Sequence, residues 1–393
     1  MFHLFFWVSI LMIAYVNVGY PLAIYLLAGI RRPVKIDDSI TPMVTLMFAA
    51  HNEENVISKK LDNSLSLDYP RDRIQILVAD DGSTDGTSVI AGSFAERGVQ
   101  LISYPERAGK LTAISRALAH ATGEIVLFSD SDNFYPADAI QQVVKYFGDP
   151  SVGGVSGGRN VIGDTSLGSA ESLYWKYEEN IKLHESRVGS CVGVAGDLLA
   201  IRRDLYTPPP PDIINDDFFM AIGIIKQGYR VVYSPDARSF HPVSSSEKGE
   251  IERRARMVAG RYQAMFSAWQ LLPFRNPIVL WQIISHKYLR PFIPVAMALM
   301  LIGNLLALML PAASTAPSWF LLLPPFGNIL LGLQVVFYLV AMLGRGKKYK
   351  SRMGRLMYLP TFLLNSNLAA LLGLYRYLSS RQTVMWKQVR EDL

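Results

Sequence analysis

Charge is what this 393-residue sequence has least of: Asp, Glu, Lys and Arg make up 18% of it, against roughly a quarter in ordinary soluble domains. The deficit is concentrated. Residues 1–30 contain none of the four, and neither do residues 291–344, whereas the middle has normal polarity. This excludes a wholly soluble protein and implies a membrane protein with a large soluble domain. Cysteine is almost absent too. Cys191 alone excludes an intrachain disulfide framework and a cysteine-based zinc site, and reads as a buried, inert thiol. The net charge of +6 does not call for nucleic acid, because the basic residues flank apolar segments and form no basic tract interleaved with aromatics. There is no G-x-S-x-G, no G-x-G-x-x-G after the first strand, and no second histidine at ligand spacing from His51, His184, His241 or His286. No internal repeat is visible.

A spanning helix needs roughly 20 mostly apolar residues to cross a ~30 Å hydrocarbon core. Phe2–Ile30 qualifies, and a cleaved signal peptide is the weaker reading of it, because no Lys or Arg precedes the run and the run exceeds a typical signal core. Arg31, Arg32 and Lys35 follow it and place the next segment in the cytoplasm. Pro291–Leu310 and Ser318–Leu343 are two further candidates, with uncharged residues 311–317 as the tip of a translocated hairpin. Residues 345–355 carry six Lys or Arg and return to the cytoplasm. Met357–Tyr375 contains Asn365 and Asn367, and a spanning, re-entrant or in-plane helix remains open there. Pro277–Arg290 mixes apolar residues with His286, Lys287 and Arg290, as an interfacial amphipathic helix does. The expected organisation is an anchor at 1–30, a catalytic domain at 40–273, the interfacial helix at 277–290, a membrane region at 291–376 and a basic tail at 377–393.

Between residues 40 and 273, short β-rich runs alternate with helical ones, the pattern of a parallel α/β sheet. The expected strands are Val44–Ala49, Ile74–Ala79, Val99–Ser103 and Ile125–Ser129. The expected helices are Glu54–Leu67, Gly86–Arg97 and Lys110–Ala119. Ligands of such sheets bind beyond the carboxyl ends of the strands, which selects His51, Asn52 and Glu53, then Asp80 and Asp81, then Asp130 and Asp132.

Asp130-Ser131-Asp132 can present both carboxylates to one point with the serine turned away. Hard oxygen ligands of this kind suit Mg²⁺ or Mn²⁺ completed by phosphate oxygens and water, although paired aspartates in a turn also serve as caps. The DDGSTDGT run at 80–87 is a glycine-containing turn into a helix. It places Asp80 or Asp81 where a carboxylate can meet a nucleotide base, and Lys110 can offset phosphate charge. Asp216 and Asp217 open the helix FFMAIGIIKQ, where its dipole favours acids in any case.

With AAHNEE at 49–54, DDGSTDGT at 80–87, GKLTAISRAL at 109–118, SDSDN at 129–133, GVAGDLLAIRRDLY at 193–206, INDDF at 214–218 and RRARMVAGRYQ at 253–263 in this order, the chain resembles family 2 glycosyltransferases, the membrane-embedded inverting enzymes related to cellulose, chitin and hyaluronan synthases. The resemblance implies an α/β GT-A nucleotide-sugar-binding domain that takes a UDP-sugar and a divalent cation, Mg²⁺ or Mn²⁺. Glu53, Asp81 and the neighbouring Asp80 then contact the uridine portion. Asp130 lies near the nucleotide sugar and the cation, Asp132 ligates the cation, and Asp217 is the general base. Lys110, Arg253, Arg254 and Arg256 supply positive charge toward the donor diphosphate. Met257 stands where the polymer synthases carry tryptophan, so the flat face that stacks on an acceptor sugar is missing.

The expected function is transfer of a hexose to a polysaccharide or lipid-linked acceptor at the cytoplasmic face of the inner (plasma) membrane, within exopolysaccharide synthesis and with export partners if a polymer is secreted. A nonprocessive glycolipid glycosyltransferase is the rival within the enzyme class. An inactive membrane scaffold is the rival outside it, and the intact Asp130, Asp132 and Asp217 set speaks against that.

Overall fold

The computed structural model describes residues 1–162, 166–242, 247–267, 269–310, 320–345 and 358–379. The expected hairpin tip, most of the basic segment at 345–355 and the basic tail beyond 379 lie outside them.

Among the described residues three helices are long and apolar enough to cross a membrane. These are α1 (Phe2–Gly29), α9 (Pro277–Met309) and α10 (Phe326–Leu343). The first and last agree with the apolar runs read from sequence. The expected interfacial helix and the span after it form one helical run instead, passing through a π-helical turn at Ile283–Tyr288 and a 3-10 turn at Arg290–Phe292. The fourth apolar stretch forms α11 (Leu359–Leu378). It packs along α8 (Glu247–Ser267), closely enough that a Cβ on Gly373 would lie 2.7 Å from the Ala255 carbonyl.

The soluble domain holds one seven-stranded sheet in the order β3-β2-β1-β4-β6-β5-β7. Its strands are β1 (Val44–Ala50), β2 (Ile74–Asp81), β3 (Val99–Tyr104), β4 (Ile125–Ser129), β5 (Val152–Ile162), β6 (Leu199–Arg202) and β7 (Arg230–Pro242). The intervening helices are α2 (Ile57–Leu65), α3 (Thr87–Gly92), α4 (Lys110–Leu118), α5 (Ala139–Val144), α6 (Ser166–Val188) and α7 (Asp216–Lys226). Strands β1 to β4 run parallel, as their continuous apolar runs imply for a sheet covered on both faces. Met47, Val126 and Phe128 face a layer with Ile114 of α4 and Ile224 of α7, and the alternate residues Leu46, Ile125 and Leu127 face Ile140 and Val143 of α5.

The sheet is mixed rather than all parallel. β6 runs antiparallel to both β4 and β5, with Phe128 opposite Leu199. This reversal has a consequence for the site: the amino end of β6, with the Gly193–Asp197 loop before it, arrives at the same edge as the carboxyl ends of β1, β2 and β4. Cys191 is fully buried, and burial pushes its thiol up to about 12, as the inert reading requires.

Candidate active site

The carboxylate turn after β4 is held from beneath by a buried lysine. Lys60 of α2 donates to Ser129 Oγ at 2.8 Å, to the Asn133 carbonyl at 2.7 Å and to Asn133 Oδ1 at 2.8 Å. Burial pulls its pKa down to about 7, against the opposing fields of Asp130, Asp132 and Asp197. Asn133 and Tyr135 both donate to the Asp197 carbonyl, Tyr135 at 2.6 Å, so the turn is also fastened to the loop entering β6. Ser131 is buried and turned inward. Asp130 and Asp132, on either side of it, are only partly covered.

Lys110 opens α4 after Gly109, whose φ is +92°. Its ammonium lies 2.8 Å from Asp130 Oδ1 and 3.7 Å from Asp216. Burial works against its charge, but Asp130 and Asp216 outweigh burial and raise its pKa.

Asp80 and Asp81 are the last residues of β2 rather than residues beyond it, and both are buried. Asp80 accepts from the hydroxyls of Ser83, Ser88 and Ser103 at 2.5, 2.6 and 2.7 Å. Asp81 accepts from the amides of Ala108 and Gly109 at 2.7 and 2.8 Å, fixing the loop that delivers Lys110. The end of β2 is thus locked by its own two carboxylates. Gly82 allows this with a φ of +65°, and a Cβ there would lie 2.8 Å from the Arg107 amide. Glu53 is 1% exposed, and its amide donates to Thr87 Oγ1 at 2.7 Å. His51 Nδ1 lies 2.8 Å from the Asp81 carbonyl, a role in joining loops.

Asp216 and Asp217 occupy the first turn of α7. Burial, reinforced by the like charge of Asp216, pushes Asp217 up to about 6. The Phe218 amide donates to Asp217 Oδ1 at 2.8 Å. Gly196 leaves room for this carboxylate, since a Cβ there would lie 3.1 Å from the Asp217 Cβ.

Helix α8 divides its two faces between two surroundings. Gln263 Oε1 accepts from the Ile214 amide at 3.1 Å and its Nε2 donates to the Asp212 carbonyl at 2.8 Å. Asn215 donates to the Met257 carbonyl at 3.0 Å, and a Cβ on Gly260 would lie 2.7 Å from the Asn215 side chain. Arg256 is within electrostatic reach of Asp216 and Asp130. Arg253, Arg254, Met257, Val258 and Arg261, at helical spacing on the other side, line a cavity between the membrane helices.

The structure therefore brings Asp130, Asp132, Lys110, Asp216, Asp217 and Arg256 to one edge of the sheet, with Glu53, Asp80 and Asp81 beside them in the walls, while Arg253 lines the membrane-side cavity. Reading the sequence missed Lys60, Gln263 and Gly260. Lys60 carries no motif, because an isolated lysine on a helix reads as solvated until its tertiary partners are known. Gln263 and Gly260 belong to a segment singled out for its arginines only. Among the described residues no group of three or more His, Cys, Asp or Glu forms a full metal cage. Two carboxylates on one turn fit Mg²⁺ or Mn²⁺, which leaves its other positions to phosphate oxygens and water.

Residues 45–206 match the family model described as glycosyl transferase family 2, and the domain has a GT-A fold. The chain is 26% identical over 264 residues to a beta-monoglucosyldiacylglycerol synthase of Synechocystis, covering 64% of this chain and 55% of that one. It is 26% identical over 301 residues to an N-acetylglucosaminyltransferase of Rhizobium meliloti, covering 72% and 69%. It is 24% identical over 229 residues to a poly-beta-1,6-N-acetyl-D-glucosamine synthase of Staphylococcus aureus, covering 56% and 55%. The chain thus spans between about half and two thirds of the length of these curated relatives. Among solved structures, a mannosyltransferase from Pyrobaculum calidifontis in complex with GDP-Man and Mn²⁺ superposes with a TM-score of 0.70 at 24% identity, covering 97% of this chain and all of that one.

Proposed function

We propose that the protein is an inverting glycosyltransferase that moves a hexose from a UDP-sugar to a hydroxyl of a polysaccharide or lipid-linked acceptor at the cytoplasmic face of the inner (plasma) membrane. The observation that carries this reading is the position of Asp217: a carboxylate pushed up to about 6, at the same sheet edge as the Asp130–Lys110 pair.

Asp217 takes the acceptor hydroxyl proton as the new bond forms from the acceptor oxygen to the anomeric carbon. The bond from that carbon to the diphosphate breaks, and the nucleotide leaves with the electron pair. Displacement from the opposite face turns an α-linked donor into a β-linked product. Asp130 and Asp132 would hold Mg²⁺ or Mn²⁺, which when bound neutralises charge on the leaving diphosphate. Lys110 and Arg256 add fixed positive charge on that side. Asp80 and Asp81 shape the nucleoside pocket by locking the end of β2 and the loop before α4, and Glu53 forms its buried floor.

Arg31, Arg32 and Lys35 after α1 support the cytoplasmic placement. From there α9 and α10 form a pair of crossings, and α11 packs along α8. Met257 is 38% exposed and offers no flat face for a growing chain, which supports single transfers over polymerisation.

Product analysis of the purified protein with a panel of nucleotide sugars tests this reading. Transfer from a UDP-sugar with inversion is expected, and no transfer from any donor overturns it. GDP-mannose belongs in the panel, because a GDP-sugar occupies the whole-chain structural match.

A further inference from the structure

On the membrane side of α8 lies a cavity of about 780 Å³, walled by α1, α6, α8, α9, α10 and α11. Most of it is apolar, with Ile10 and Leu333 typical of the lining. Its charged lining residues are Arg253, Arg254, Arg261 and Arg290, and no Asp or Glu lines it among the described residues. A cation facing an apolar space is costly unless it has a counter-charge or another partner.

Three of the four are engaged, Arg253 with Met257 Sδ at 3.7 Å. Arg290 pairs with Glu178, whose other oxygen lies 3.0 Å from His286 Nε2. Arg254 lies over the rings of Tyr174 and Phe362, at 5.4 and 4.8 Å, and reaches Ser366 Oγ at 3.3 Å. Arg261 has neither hydrogen bond nor ion pair among the described residues. Burial foremost, with the like charges of Arg290 and Arg254, works against its ionisation and outweighs the support of Tyr174 and Glu178. Lys287 of α9 lies 5.8 Å from the ring of Phe218, next to Asp217 in sequence, and within electrostatic reach of Arg261, Asp217 and Glu178, so positive charge extends from the cavity toward the proposed base.

We infer that this cavity is the acceptor site and that the acceptor is a lipid with a phosphate or diphosphate head group, its hydrocarbon between the membrane helices and its anion at Arg261 and Lys287. The inference rests on the glycosyltransferase reading and narrows its acceptor to an anionic lipid carrier. The anion supplies the counter-charge that the lining lacks, and the apolar walls bury the tail. A group attached to that head would extend past α8 toward Asp217.

The test is native mass spectrometry of the full-length protein with a long-chain polyprenyl phosphate, the matching polyprenol, phosphatidylglycerol and inorganic phosphate. Polyprenyl phosphate is expected to bind at least about tenfold more tightly than each of the other three, the ratio that one charge-assisted contact supplies. Arg261→Gln should remove that preference and Arg261→Lys should keep most of it. Leu363→Trp, which fills part of the apolar end and leaves every charge in place, should weaken binding of both polyprenyl lipids.

Equal binding of phosphatidylglycerol would mark an ordinary lipid-filled crevice. Equal binding of polyprenol, or tight binding of inorganic phosphate alone, would likewise overturn the inference. So would wild-type affinity in both Arg261→Gln and Leu363→Trp. Should Arg261→Gln not fold, unchanged affinity in Leu363→Trp alone suffices to overturn it. Mn²⁺-dependent binding of UDP or GDP to the wild type is measured separately. Its absence would remove the donor reading and leave the lipid result standing.

Discussion

The ammonium of Lys110 lies 2.8 Å from Oδ1 of Asp130, tying the first turn of α4 to the carboxylate turn at the end of β4. Both side chains are more than a third exposed, and a pair this open adds little to stability, about 1 kcal/mol at most. Its place facing the proposed diphosphate matters more. Lys110→Gln should leave the thermal midpoint nearly unchanged while raising the KM for the donor by about tenfold or more, the worth of one charge-assisted contact. Donor titrations beside a melting curve separate the two effects. An unaltered KM would remove Lys110 from the donor site.

Asp217→Asn should lower kcat by about 10²- to 10⁴-fold, the usual contribution of a general base, with nucleotide affinity preserved. Radiolabelled sugar transfer and calorimetric titration of the nucleotide report the two quantities. Wild-type turnover would exclude Asp217 as the base.

The pH dependence of kcat follows from the same group. A base works only when ionised, and burial has pushed Asp217 up to about 6. Activity should therefore be flat above that value and fall below it, by about tenfold at pH 5 relative to the plateau. For stability the sign is opposite: a carboxyl raised on folding holds its proton more tightly in the native state, so its contribution weakens as pH rises from its unfolded value through about 6. A rate profile with no acid limb between pH 5 and 7 would contradict this assignment.

Chelation by EDTA should abolish both transfer and tight nucleotide binding, and added Mn²⁺ or Mg²⁺ should restore them. Asp132→Asn should prevent the restoration at ordinary metal concentrations. Full activity of the wild type in EDTA would show that the two aspartates serve another purpose.

Gly260→Ala would place a Cβ 2.7 Å from the Asn215 side chain, at the contact that sets α8 against the start of α7. Overpacking of this kind costs about 1–3 kcal/mol, and displacement of Asp217 should lower kcat as well. Thermal melting and turnover of the variant are the checks, and wild-type values in both would show that the contact yields freely.

Much of this was legible in residue order. β1 to β4 and α4 lie within about two residues of where the apolar runs placed them, because a strand covered on both faces must be apolar along its length. Asp130, Asp216 and Lys110 were legible as candidates because they follow strand ends or open helices. The antiparallel β6 was not. A four-residue strand with sequence LAIR carries no mark of direction, and its pairing is settled by the partners on either side. The role of Lys60 was equally hidden, since its three acceptors come from Ser129 and Asn133, far along the chain.

The sequence by itself determined that two charge-free stretches must leave water and that the charged middle must form a sheet with its acids gathered in short clusters. Those are properties of composition and period, which local chemistry decides. Only the tertiary structure decided which groups share a site. It brought the β6 loop to the catalytic edge, turned Arg256 toward Asp216 and Asp130, and left Arg253, Arg254 and Arg261 on the membrane side of the same helix. The reason is geometric. One helix shows its neighbours two faces, and which face turns to the carboxylate cluster and which to the cavity depends on how that helix packs against distant parts of the chain.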